Sequence, residues 1–326
     1  MSRAPTLTVC MIVRDETRVL PRCLASLSGL YDELCAVDTG SRDDTVELLR
    51  DHGARVVVDT SCNGADGRIE DFAAARNAAL ALADGDWVLQ IDADEILEAG
   101  AERIRQVIAQ ARGCIGVTLR SQGAQWVSGR LFRRTDARGY CSPIHEYLEH
   151  DGGFRIERDI VIHNLPDKEG KETSAQRNIR ILQQALAVQP DEGRLWHYLG
   201  NEHRKAARDE DAIDCYRRAL ALGNYRQGLY HSAYYLGCSH LLLGRHDAAI
   251  DAAQRAVTIA PHYAEGHCLI ADALFRKGEF AAARVGYERA LACTVPEDAL
   301  MAVQEWAYDA HPRRQLARID DIGVAR

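Results

Sequence analysis

Asp92, Asp94 and Glu95 place three carboxylates within four positions, directly after the mostly apolar run Trp87 to Ile91. Carboxylates that close repel one another unless something positive lies among them. Hard divalent cations such as Mg²⁺ or Mn²⁺ favour carboxylate and phosphate oxygens, so an Asp-X-Asp pair at a strand end is a candidate metal and phosphate site. A neighbouring arginine or plain solvent would also serve. Other groups with chemical potential end short apolar segments. Asp15 and Glu16 follow "LTVCMIV", Asp38 closes "ELCAVD", and His163 closes "DIVIH". Asp71 and Arg76 share "DFAAARN", Arg130 and Arg133 share "GRLFRR", and His145 precedes Glu146 in "YCSPIHEY". An arginine fork can hold phosphate or neutralise carboxylates. Each group also has an ordinary reading. Asp38 suits a turn, Glu16 suits a helix start, Asp71 and Arg76 suit an internal ion pair, and a lone histidine at a strand end is usually structural. Glu146 and His145 could cap a strand and pair with Arg133 or Arg134.

Positioning these groups falls to two halves with different periods. Segments 7–13, 33–38, 55–59, 87–92 and 115–120 are short, apolar and often β-branched, as strands covered on both faces are. Helical patterns fill roughly 17–28, 44–52, 71–83 and 100–112, and Ser41 with Asp44 resembles a capping box opening the second. Alternation of this kind predicts an α/β domain with an open, mostly parallel sheet. Ligands of such sheets bind at the carboxyl ends of the strands, so the acidic ends of 33–38 and 87–92 should face one crevice.

From about residue 173 the pattern turns helical and repeats. Gly200, Gly237 and Ala271 recur at steps of 37 and 34, as do Ala207, Gly244 and Gly278; Ala212, Ala249 and Ala283; and Ala219, Ala256 and Ala290. Small residues at these points let paired helices approach closely, while Trp196, Tyr216, Tyr235, Phe275 and Tyr287 can fill the gaps. Ala185 lies 34 before Ala219, and Pro190 and Pro261 stand where second helices should stop. The longer step puts extra residues near 223–228. This pattern resembles the tetratricopeptide repeat. His203, Arg204 and Tyr230 read as exposed, and "DAHPRRQLARIDDIGVAR" as a capping helix with a frayed tail.

The ordered set "VCMIVRDE", "LPRCLASL", "YDELCAVDTGSRDDT", "EDFAAARNAAL" and "GDWVLQIDADE" resembles the nucleotide-binding half of family 2 glycosyltransferases, which have the GT-A fold. The likeness covers roughly residues 6–165 and is greatest to bacterial members followed by tetratricopeptide repeats. It implies a GT-A domain over 1–170 and a repeat domain over 171–326. It implies an inverting, metal-dependent transfer of sugar from a nucleoside-diphosphate donor, UDP-linked by expectation, to an acceptor. By the same resemblance Val13, Glu16, Asp38, Arg76 and Asp92 contact the nucleotide. Asp92 would approach the ribose or a metal-bound water, and Asp94 and His163 would ligate Mn²⁺ or Mg²⁺. Glu146 would be the general base, and His145, Arg130 and Arg133 would approach the diphosphate. Glu95 reads as a helix-start residue or a group behind the ligands. After His163 the sequence runs Asn164-Leu165-Pro166, unlike the aromatic or glycine residues usual in the family.

Bulk properties narrow the partners. The chain has 326 residues, 27% of them charged, and a net charge of −8. A broad nucleic-acid or anionic-membrane surface is therefore not expected. No apolar run has the length of a membrane span, and the opening residues carry no secretory apolar region. Ten scattered cysteines without metal spacing suit reduced thiols in the cytoplasm. A sugar-phosphate nucleotidyltransferase would show a glycine-rich phosphate loop after the first strand, where "VRDETRVLPR" stands. A non-catalytic repeat adaptor would tolerate loss of the acidic motifs, which are intact. The repeats suggest a peptide or protein acceptor, with buttressing of the transferase domain or a homodimer as alternatives.

Overall fold

A computed structural model describes residues 3–121, 124–167, 172–296 and 303–323. It divides into two compact units, Met1–Lys171 and Glu172–Arg326. In the first, the chain order is β1 (Leu7–Val13), α1 (Leu20–Ser26), β2 (Glu33–Asp38), α2 (Thr45–Asp51), β3 (Arg55–Val58), α3 (Phe72–Leu82) and β4 (Trp87–Gln90). There follow β5 (Glu95–Ala99), α4 (Ala101–Ile108), β6 (Cys114–Ser121), β7 (Ala124–Arg133), β8 (Ala137–Cys141), β9 (Tyr147–His150) and β10 (Phe154–Asn164). Eight strands form one sheet in the order β3-β2-β1-β4-β7-β6-β10-β5, and β8 pairs with β9 as a separate hairpin.

The β3-β2-β1-β4 half is wholly parallel. Antiparallel pairs enter at β4–β7, β6–β7 and β10–β5, while β10–β6 is parallel. Period-two alternation on β1, with both faces covered, explains why its sequence is apolar apart from Thr8. Leu7, Val9, Met11 and Val13 pack with Leu20, Leu24 and Ile104 on one face, while Cys10 joins Val37, Val88, Ala79 and Phe132 on the other. Strand order reverses at β1, since β2 and β3 extend one way and β4 lies on the other side. A reversal of this kind splays the adjoining connections and opens a crevice at the strand carboxyl ends.

Two local expectations need correction. Segment 95–99 is a strand rather than the start of a helix. Ser41 does not cap α2 either: its hydroxyl is bonded to Asp38, and Asp43 takes the N–H of Thr45 at 3.1 Å. The competing acceptor lies next to the helix start, so the Ser41–Asp44 pair never closes.

The second unit contains α5 (Ser174–Val188), α6 (Gly193–Lys205), α7 (Asp209–Leu222), α8 (Leu229–Leu242), α9 (His246–Ile259), α10 (Ala264–Arg276) and α11 (Phe280–Leu291). After a 3₁₀ turn at Glu305–Tyr308 comes α12 (Ala310–Asp321), tied to α11 by the Arg284–Asp320 ion pair. The last three residues of the tail lie outside the described residues. Helices α6, α8 and α10 are first members of pairs, and α5, α7, α9 and α11 are second members. The recurring small residues mark close approach. A Cβ on Gly200 would stand 2.7 Å from the Tyr216 ring, and one on Gly237 2.7 Å from Leu269. Ala207, Gly244 and Gly278 all turn through left-handed backbone, with φ of 56°, 73° and 81°. Only the first carries a side chain there. His203 and Tyr230 are buried, at 5% exposure each, and Arg204 stacks over Tyr235 at 4.2 Å, so the expected exposed trio is not a surface feature. Their apolar bodies fill the space between helices, which the polar tips obscure in sequence.

Candidate active site

The parallel register sets the first positions. Val13 pairs with Asp38 across β1 and β2, and Cys10 with Gln90 across β1 and β4. Asp38 and Asp92 therefore leave the same edge of the sheet on either side of β1, about 10 Å apart at roughly 4.8 Å per strand. Here the turns are tied together. Asp15, at φ 53°, donates its N–H to Ser41 Oγ at 2.9 Å and accepts the Arg42 N–H at 2.7 Å. Glu16 N–H meets Thr45 Oγ1 at 2.8 Å. The Val13 carbonyl accepts from Thr39 N–H at 3.0 Å.

Asp38 Oδ1 accepts the N–H groups of Gly40 and Ser41, each at 3.0 Å, and Oδ2 accepts the Ser41 hydroxyl. A carboxylate offers about four acceptor positions. Three are used by its own turn, and one remains on Oδ2 for an incoming N–H. Its turn role and a base-binding role are therefore compatible.

The centre of the site is an ion-pair network. Asp71 caps α3 by accepting the Ala74 N–H at 2.9 Å, so it does not pair with Arg76. Arg76, one turn later, is buried and forks onto Asp92 at 2.8 and 3.2 Å, while its Nε donates to Glu146. Arg130, beside Gln90 in the antiparallel β4–β7 register, reaches Glu95 at 2.8 Å and lies 3.7 Å from Asp92. Glu95 Oε2 accepts the Asp92 N–H at 2.9 Å. The repulsion within residues 92–95 is thus relieved by two arginines from distant segments. Burial alone would raise the Asp92 pKa, but Arg76 and Arg130 outweigh it and hold the carboxyl well below the usual range. For Glu95 burial wins, and its carboxyl is pushed up to about 7 against the pull of Arg130.

Glu146 is delivered by a tight loop. Ser142 and His145 take φ of 74° and 53°, and the Phe72 N–H donates to the Pro143 carbonyl at 2.8 Å, which docks the loop on the start of α3. Asn77 on the same helix clamps β8, exchanging bonds with Tyr140 N and O at 2.7 and 2.9 Å. The Tyr140 hydroxyl is buried and has no hydrogen-bond partner among the described residues; burial pushes the phenol up, with Arg76 and Arg130 pulling the other way. Spacing gave no sign of Tyr140, because its place depends on the hairpin.

Arg133 is not brought into this group. It pairs with Trp87 at the opposite end of β4, because β7 runs antiparallel and carries residues 130 and 133 to different edges of the sheet. Its N–H bonds the Gly113 carbonyl at 3.0 Å.

The residues expected to hold a divalent ion, Asp94 and His163, are a carboxylate and an imidazole. The Leu165 N–H donates to the Asp94 carbonyl at 2.9 Å, so Asp94 lies beside the end of β10. His163 precedes Leu165 by two positions and pairs with Ile96 in the β5–β10 register, its Nδ1 3.4 Å from Glu98. Among the described residues no group of three or more His, Cys, Asp or Glu side chains is gathered for a metal. Carboxylate and imidazole are both ligand types that Mn²⁺ accepts, and two such donors would leave the remaining positions of an ion to phosphate oxygens.

An α/β domain with an acidic cluster at a reversal of strand order, followed by stacked helix pairs, defines the class of protein. Residues 8–165 match glycosyl transferase family 2, and residues 230–263, spanning α8 and α9, match a tetratricopeptide repeat. The chain is 24% identical to the SPbeta prophage-derived glycosyltransferase SunS of Bacillus subtilis over 248 residues, covering 69% of this chain and 55% of that protein. It is 43% identical to the TPR repeat-containing protein Synpcc7942_0270 of Synechococcus elongatus over 150 residues, 44% of this chain and 35% of the relative. It thus spans between a third and just over half of those relatives. Among solved structures, a crystal structure of MamA aligns at 19% identity and a TM-score of 0.36, over 45% of this chain and 87% of that one. No helix among the described residues is long and apolar enough to cross a membrane.

Proposed function

We propose that this chain is an inverting, metal-dependent glycosyltransferase that moves a sugar from a nucleoside-diphosphate donor, with UDP as the nucleotide, to a peptide or protein acceptor. The observation that carries the reading is the convergence of Asp92, Glu95, Arg76, Arg130 and Glu146 at the carboxyl end of β4, where α/β sheets bind ligands. Val13, Glu16 and Asp38 line the neighbouring strand ends for the nucleoside. Asp94 and His163 would hold Mn²⁺ or Mg²⁺, whose charge would stabilise a departing diphosphate. Arg76 orients Glu146, which accepts the proton of the attacking acceptor group as the new glycosidic bond forms and the bond to the diphosphate breaks. One displacement with inversion needs no covalent enzyme intermediate. His145 lies next to the base and Arg130 beside Asp92, where each can approach the diphosphate. Ten free cysteines, seven of them buried, support a reducing, cytoplasmic setting.

Two substitutions separate the parts. Glu146→Gln should retain nucleotide binding and lose transfer by about 10²–10⁴-fold. Asp94→Asn should lose the rise in melting temperature that UDP with Mn²⁺ gives the unaltered protein. An undiminished rise, or full transfer by Glu146→Gln, would remove these residues from the roles assigned.

A further inference from the structure

A cavity of about 460 Å³ lies within the helical unit, between α5 and α7 and floored by α6. That volume is in the range of small-ligand clefts, roughly 300–1,000 Å³. Both flanking helices are second members of successive pairs, so the cavity opens on the side of the second helices rather than of the first. Its floor and walls are apolar, from Leu186, Ala187, Pro190, Leu199 and Cys215.

One aromatic residue, Trp196, distinguishes its lining from the equivalent place in the next repeat. In the next repeat Ala233 stands in place of Trp196, and Arg255 stretches across to the Leu220 carbonyl at 3.1 Å, bridging the second helices. The corresponding Arg218 instead stacks on the Trp196 ring at 4.5 Å. The arginine that bridges the two helices in one repeat is held on the indole in the other.

Polar groups with unused capacity converge on the cavity. His203 is 5% exposed, lines the space, and has no hydrogen-bond partner for Nδ1 among the described residues; a carboxylate oxygen of Asp211 is 3.8 Å away. Asp211 and Asp214, one turn apart on α7, also line it. Besides His203, the arginines nearest to them, Arg208 and Arg217, stand at 4.0 and 3.8 Å, beyond hydrogen-bond reach. In the next repeat Ala248 replaces Asp211, so the paired carboxylates do not recur there. We propose that this cavity binds a basic, apolar peptide segment, taking a leucine-like side chain against Leu186 and Leu199 and a lysine or arginine between Asp211 and Asp214. The inference rests on reading the repeats as the part that holds the acceptor. It places that contact on the second-helix side and gives the segment its charge.

The test uses the full chain without nucleotide sugar, so that its outcome is independent of transfer. A fluorescent peptide of alternating leucine and lysine is titrated by anisotropy, with leucine–glutamate and serine–lysine peptides of equal length alongside. The leucine–lysine peptide should bind saturably, and the other two should bind at least tenfold more weakly. Asp211→Asn with Asp214→Asn should weaken binding about tenfold or more. Ala187→Phe, an exposed position lining the cavity, should block it without disturbing the helix, as checked by circular dichroism. Unchanged binding by both variants, preference for the acidic peptide, or no saturable binding of any peptide would overturn the proposal. Transfer assays on the same preparations then report on the glycosyltransferase reading alone.

Discussion

The two units hold themselves together over different distances along the chain. In the sheet unit the decisive contacts join remote segments, with Arg76 reaching Glu146 70 residues away and Gly85 meeting Thr8 77 away. In the helical unit the same reach recurs. His197–Ser232, Glu210–Arg245, Leu220–Arg255, Tyr230–Glu265 and Leu241–Arg276 are all 35 residues apart. One unit gathers unlike residues at a single point, and the other repeats like contacts between neighbours. Chemistry is therefore concentrated in the first. Damage in the second should be shared out among near-equivalent interfaces.

The sharpest test of that contrast is Arg76→Met. It leaves Glu146 and Asp92 without the guanidinium that both use, and breaking a buried ion pair from one side costs about 3–5 kcal/mol. Urea unfolding should register that loss. A cost below about 1 kcal/mol would show the network to be dispensable for the fold. Gly237→Val should follow at about 1–3 kcal/mol, since the added Cβ alone meets Leu269 at 2.7 Å and the Ala249 carbonyl at 3.1 Å. A neutral result would mean that helices α8 to α10 can separate freely. The smallest change should be a gain. Ala207→Gly relieves a left-handed alanine and should raise stability by about 0.5–1 kcal/mol, bringing the first turn into line with Gly244 and Gly278.

Much of the fold was legible because the signals were local. The segment 7–13 is apolar at every position but Thr8, since both faces of β1 are covered, and β2 ends at Asp38 as its composition suggests. The helix turns announced themselves through Gly244 and Gly278. Strands β5 and β7 were not legible. "EILEA" and "AQWVSGRLFR" mix charge with apolar residues, and their places depend on antiparallel partners far along the chain. The same limit applied to the site. Residue types marked Asp92, Arg76 and Glu146 individually, yet nothing in spacing says that one guanidinium links the other two. Arg133 misled for a related reason: three positions from Arg130 reads as neighbouring, but on an extended strand it is about 10 Å, enough to leave the site. His203 and Tyr230 misled because polar atoms at their tips conceal bodies large enough to fill a core.

Ser41 carries a further consequence. Its single hydroxyl donates to Asp38 and accepts from the backbone of Asp15. The turns after β1 and β2 therefore share one hinge pin, so a guest that shifts either one must drag the other. A shift of either lip of the crevice would then be one motion rather than two, and with that oxygen removed the bonds from Arg42 N–H to Asp15 and from Glu16 N–H to Thr45 would be left to couple them.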